Sequence, residues 1–162
     1  MKSILPALLL LGFLAIVIPA GSQSTINSTD PGDAVLGIWN TTDNKSKVQI
    51  FRGDHHYFGR VMDITEPNWP ANDPGGMGGK PRTDRKNPNP ALRQRPLLGL
   101  RLMENFTYAG RNKWEGGRIY DPESGKTYKC RMTLLDTNRL EVHGYVGISV
   151  LGRTVTWTRV NP

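Results

Sequence analysis

Residues 127–145, TYKCRMTLLDTNRLEVHGY, decide the fold. Tyr128, Cys130, Met132 and Leu134 alternate with Lys129, Arg131 and Thr133. A strand turns successive side chains to opposite faces, so this stretch reads as a strand with one apolar and one polar side. DTNR is a turn signal, and beyond it Leu140 and Val142 alternate with Glu141 and His143. Strand, tight turn and strand, each with one wet face, form a hairpin.

The same grammar extends in both directions. Upstream lie AVLGIWNTT (34–42), KVQIFRG (47–53), HYFGRVMDIT (56–65), LLGLRLMENFTY (97–108) and KWEGGRIYDP (113–122). Downstream lies RTVTWTRV (153–160), where Thr154, Thr156 and Thr158 oppose Val155, Trp157 and Arg159. No stretch carries a convincing helical period. Eight short strands joined mostly by tight turns predict an all-β, eight-stranded, antiparallel up-and-down barrel, which holds its own side chains or one small ligand. A β-sandwich is the competing arrangement. A membrane-spanning barrel would need lipid-facing apolar sides, whereas the outward positions carry Lys47, Gln49, Glu115, Lys129, Arg131 and Glu141.

One segment interrupts the pattern. Between Glu66 and Pro90 the chain has six prolines and four glycines, and no strand or helix can form there. From 80 to 100, KPRTDRKNPNPALRQRPLLGL carries Lys80, Arg82, Arg85, Lys86, Arg93 and Arg95 against Asp84, in a chain of net charge +7. It contains no aromatic stacking platform, which argues against nucleic acid as a partner. The same barrel resumes after it, so it links no second domain. It reads as a long basic loop between the third and fourth strands, folded as a flap across one mouth. Trp69 and Leu92 are its expected apolar anchors, Asp84 and Asn87 cap its turns, and Arg93 and Arg95 ring the entrance.

The N-terminus reads separately. Lys2 precedes an uncharged apolar run from Ile4 to Ile18 and then small residues, the order of a secretory signal peptide. The run is short for a spanning helix and contains Pro6. The expected organisation is a signal peptide over 1–22, a flexible polar lead over 23–33 and a barrel domain over 34–162. With Cys130 as the single cysteine, no intrachain disulfide forms, and a bacterial periplasmic or secreted location is expected.

Catalytic and metal motifs fail on inspection. GGMGGK (75–80) has Pro74 and Pro81 where a phosphate loop needs Gly and Ser/Thr. His55 and His56 are adjacent, so they point apart, and with His143 and one cysteine they make no metal set. Ser149 lacks a nucleophile elbow, and Cys130 faces inward as packing. No cofactor is expected. Asp63, Asp121 and Tyr120 are the available acid–base groups.

Candidate ligand contacts come from the strand faces. Strict alternation places Trp114, Arg118 and Tyr120 on one side, with Tyr128 inward on the next strand. With Arg93 and Arg95 these form the candidate ligand-binding set. Gly116 and Gly117 suggest a bulge or a close backbone approach.

Five blocks together, GIWNT, GKPRTDRKNPNPALRQRPLLGL, WEGGRIYDPESGKTY, LEVHGYVGISVLGRT and WTRV, resemble the bacterial family known as domain of unknown function 2147. The resemblance spans about Leu36 to Val160. It implies an exported protein with a lipocalin-like barrel, and it assigns no reaction, ligand or functional residue. The Gly-x-Trp of Gly37 and Trp39, with Arg159 in the last strand, is also similar to the closure pair of lipocalins. A guanidinium on an indole face would pin first strand to last. The expected function is therefore non-catalytic binding of a small amphipathic or anionic ligand in or at the barrel mouth. The alternative is docking of the basic loop on anionic envelope lipid, glycan or a protein.

Overall fold

The computed structural model describes residues 30–160. The signal peptide expected over 1–22 lies outside them, as does most of the expected lead. Eight strands form a closed barrel in sequence order, each hydrogen-bonded to the next and β1 to β8. They are β1 (Gly37–Asn40), β2 (Ser46–Gly53), β3 (His56–Ile64), β4 (Arg101–Gly110), β5 (Lys113–Asp121), β6 (Lys126–Asp136), β7 (Arg139–Tyr145) and β8 (Gly152–Arg159). All neighbours are antiparallel.

The hairpin that opened the sequence reading forms in register, with Met132 opposite Val142 and Leu134 opposite Leu140. These four, with Cys130, are buried, and their polar alternates lie on the outer side, where the β7–β8 connection covers His143. The core adds Trp39, Val48, Ile50, Tyr57, Met103, Phe106, Trp114 and Trp157. Removing this apolar surface from water drives closure.

Up-and-down order sends the connections alternately to the two ends. The β2–β3, β4–β5 and β6–β7 turns lie at one end, the base. The β1–β2, β3–β4, β5–β6 and β7–β8 connections lie at the other, the mouth.

The base is plugged by a 3-10 helix, Pro31–Val35. Asp30 caps it by accepting from the Gly32 amide at 2.9 Å. Trp114 Nε1 donates to the Gly32 carbonyl and Trp39 Nε1 to the Val35 carbonyl. The Tyr57 hydroxyl donates to Asp33 Oδ1 at 2.9 Å, and Arg52 pairs with Asp30 and Asp33. The fold thus includes Asp30–Asp33, which corrects the expected start near Ala34. A polar stretch reads as a lead in sequence, but here its Gly32 carbonyl satisfies the buried Trp114 indole.

The closure pair meets at the β1–β8 seam. Arg159 sits opposite Trp39, its guanidinium carbon 4.2 Å from the ring centroid. Its nitrogens donate to the carbonyls of Ala34, Leu36 and Thr137 at 2.6–2.7 Å. Burial pulls the Arg159 pKa below its ordinary value. Gly37 is needed beside it: its φ is +128°, and a Cβ there would stand 2.8 Å from Arg159 Nη1.

Candidate functional site

The segment between Ile64 and Arg101 is a compact folded loop. Two short antiparallel bridges, Asn68 to Pro81 and Thr83 to Pro96, organise it. Two buried carboxylates hold it. Asp73 accepts from the Gly75 and Met77 amides and from Arg85, and the Arg85 bond holds its carboxyl below the usual carboxylate range. Asp84, fully buried, accepts from Asn87 at 2.7 Å, from Arg95 Nε and Nη2 at 2.9 and 2.8 Å, and from the Tyr120 hydroxyl at 2.6 Å. Buried carboxylates persist only when their lone pairs find donors, and these do.

The loop's arginines are therefore largely spent on the loop itself. Arg82 pairs with Glu66, Arg85 lies 3.5 Å from the centre of the Trp69 ring, and Arg93 Nε donates to the Asn87 carbonyl. Arg93 and Arg95, expected as a rim, turn toward loop groups instead. Trp69 anchors the loop through cation–π stacking, whereas Leu92 is exposed and anchors nothing.

Strand β5 overturns a second expectation. Gly116 has φ +75°, and the β5–β6 register shifts between Trp114 and Gly117. This bulge adds one residue and reverses the alternation beyond it. Gly117 and Ile119 continue the inward face, opposite Cys130 and Tyr128, while Arg118 and Tyr120 face out, opposite Lys129 and Thr127. Gly117 is obligatory inside, because a Cβ there would lie 2.4 Å from the Phe106 ring. Arg118 is exposed, with no hydrogen bond or ion pair among the described residues. Tyr120 is the footing on which the basic loop sits. Burial, then the Asp84 bond, push its pKa up to about 12. The loop also meets the β5–β6 turn, where Gly125, at φ +71°, lies under the Lys86 carbonyl.

Trp114 is inward but lies at the base, fully buried between Tyr57 and Tyr108. Of the six candidate contacts only Tyr128 faces inward near the mouth. Around it the structure gathers a different set. Ile119 is directly opposite, and a Cβ on Gly144 would lie 3.6 Å from Ile119 and 3.8 Å from Tyr128. Val155 pairs with Val142, so it faces inward, and Arg153, two residues on and opposite Gly144, shares that register. Tyr128, Ile119 and Val155 are inward yet half-exposed, and Arg153 is exposed. Ile119 and Val155 pack against the core, and with Tyr128 they keep partial contact with solvent above the packed base. Arg153 was legible by extending the Val155–Trp157–Arg159 alternation one step back.

The possible chemistry at this mouth is limited. Asp63 is on the outer wall, paired with Lys47 at 2.8 Å. Asp121 caps its own turn through Glu123 and Ser124. These two and Tyr120 do not meet. Burial lifts the Cys130 thiol to about 12, which keeps it protonated. Among the described residues no cluster of three metal-ligating side chains occurs, and no helix is long and apolar enough to cross a membrane.

A closed, eight-stranded antiparallel barrel with a plugged base and an Arg–Trp seam defines a lipocalin-like protein. Residues 37–159 match the family model described as uncharacterized protein conserved in bacteria (DUF2147), and the chain belongs to that family. Among solved structures it is similar to protein HP1028 from Helicobacter pylori, reported to belong to the lipocalin family. The identity is 25%, the TM-score is 0.66, and the match covers 78% of this chain and 82% of that one. No curated protein matches.

Proposed function

We propose that the protein binds a small amphipathic or anionic ligand at the barrel mouth, without catalysis, and that it is exported after removal of residues 1–22. The single observation that carries the binding reading is the half-exposed inward set of Ile119, Tyr128 and Val155 over a packed base, with Arg153 at the same level. Apolar walls with one cation and one phenol suit a hydrocarbon body with a negatively charged head. The lipocalin-like barrel supports the same reading. The N-terminal charge, apolar run and small residues support export. Docking through the basic loop has less support, because Arg82, Arg85 and Arg95 are held in internal ion pairs.

The test uses a fluorescent anionic probe, 1-anilinonaphthalene-8-sulfonate, displaced by a long-chain fatty acid. Displacement by the fatty acid, weakened about tenfold or more in Arg153→Glu, supports the reading. Probe binding that the fatty acid does not displace, or that Arg153→Glu leaves unchanged, contradicts it.

A further inference from the structure

The β7–β8 connection is unlike the other turns. Within six residues it presents Val146, Ile148, Val150 and Leu151, at 67%, 66%, 84% and 67% exposure. Four large aliphatic side chains held in water on a short loop are an unusual concentration, and such patches mark interaction sites. The loop is fastened rather than loose. His143 Nε2 donates to the Ser149 carbonyl at 2.8 Å, since a carbonyl only accepts. Its Nδ1 is hydrogen-bonded with the Thr154 hydroxyl at 2.7 Å. His143 also stacks on Tyr145 at the loop's base.

Charge around the loop has one sign. No acidic residue lies between Glu141 and the C-terminus. Arg153 follows the loop directly, Lys129 lies opposite Tyr145, and Arg118 lies opposite Lys129. Arg118 and Lys129 are like charges directly opposed across two strands, a pairing that costs stability in isolation. Both are exposed and without an ion pair among the described residues, which leaves them available to an external anion. On its other side Arg118 lies opposite Glu104 of β4, with no ion pair joining them among the described residues; in the β5–β6 turn Asp121 is taken up by Glu123 and Ser124.

We infer that the β7–β8 loop is an anchor that inserts Val146, Ile148, Val150 and Leu151 into an anionic lipid bilayer, with Arg118, Lys129 and Arg153 on the headgroups. Stable peripheral binding needs two signals, and apolar insertion beside a basic collar supplies both. The geometry turns the barrel mouth toward the membrane, so a hydrophobic ligand could pass between the two without crossing water. Vesicle binding requires no ligand in the barrel, so this inference stands or falls separately from the ligand reading.

The chain from Gln23 onward retains every strand and the Arg159–Trp39 seam, and it avoids the N-terminal apolar run. It is sedimented with phosphatidylcholine vesicles holding about one-third phosphatidylglycerol. It is expected to bind these and to bind pure phosphatidylcholine far less. Ile148→Asp with Val150→Asp should reduce binding about tenfold or more while the thermal melt stays unchanged. Arg118→Gln with Lys129→Gln should weaken binding and flatten its salt dependence between about 0.05 and 0.5 M. Anionic-vesicle binding that survives the tip substitutions overturns the inference. So does an absence of vesicle binding, whether or not the tip instead joins two copies of the chain or captures a protein.

Discussion

The Tyr120 hydroxyl donates to the fully buried carboxylate of Asp84 at 2.6 Å, joining the outer face of β5 to the basic loop. Arg95 completes the contact, bonding Asp84 and lying 5.6 Å from the Tyr120 ring centroid. With Asp73, this carboxylate is one of the two buried acids that hold the loop. Asp84→Asn leaves Arg95 without its anion and turns an amide toward existing donors. The expected loss is about 3–5 kcal/mol, with new protease cleavage between 65 and 100, read by denaturant unfolding and limited proteolysis. Tyr120→Phe removes the bond to Asp84 and the one its hydroxyl accepts from Asn87 at 3.3 Å, and should cost about 1–2 kcal/mol.

The same pair sets an alkaline limit. Tyr120 ionises at about 12 in the fold against an ordinary value of 10.0. Its neutral form is favoured by folding, so its contribution is complete below pH 10 and lost as pH rises through 12. Tyr57, buried and bonded to Asp33, shifts in the same direction. Stability measured in denaturant should fall across this window, and less steeply in Tyr120→Phe. An identical fall in the variant contradicts the assignment.

The seam makes a geometric prediction. Arg159→Lys keeps the charge but loses the planar fork that reaches the Ala34 and Leu36 carbonyls. It should destabilise by about 2 kcal/mol. Gly37→Ala should cost at least as much, through positive φ and the clash with the guanidinium. Both are read as lowered melting temperatures.

The bulge is tested at its second glycine. Gly117→Ala forces a methyl into the Phe106 ring, with an expected cost on the order of 2–3 kcal/mol. Gly116→Ala meets nothing within 4 Å and suffers only its positive φ, so its cost should be smaller, about 1 kcal/mol. Equal effects would contradict the inward placement of Gly117.

The barrel was legible because one-sided alternation survives in β6, β7 and β8 without interruption. The site was less so, for a local reason. Alternation carried through Gly116 and Gly117 placed Arg118 and Tyr120 inside, although that glycine pair already suggested a bulge. One extra residue moved both to the outer wall. The basic loop misled differently, since counting Arg82, Arg85 and Arg95 gives their charge but not their partners. Asp73 and Asp84, the only acids between Glu66 and Arg101, take up two of those three. Arg153 was overlooked because a turn-adjacent arginine resembles ordinary surface charge until its register with Gly144 is known.

The mouth as a ligand site is tested most directly by amide and methyl chemical-shift mapping while a long-chain fatty acid is added. The predicted result is saturable change confined to Ile119, Tyr128, Val155, Arg153 and Gly144, with the Trp114 and Trp39 indole signals at the base unmoved. Saturable change centred on the outer walls, or no change at all, would contradict it.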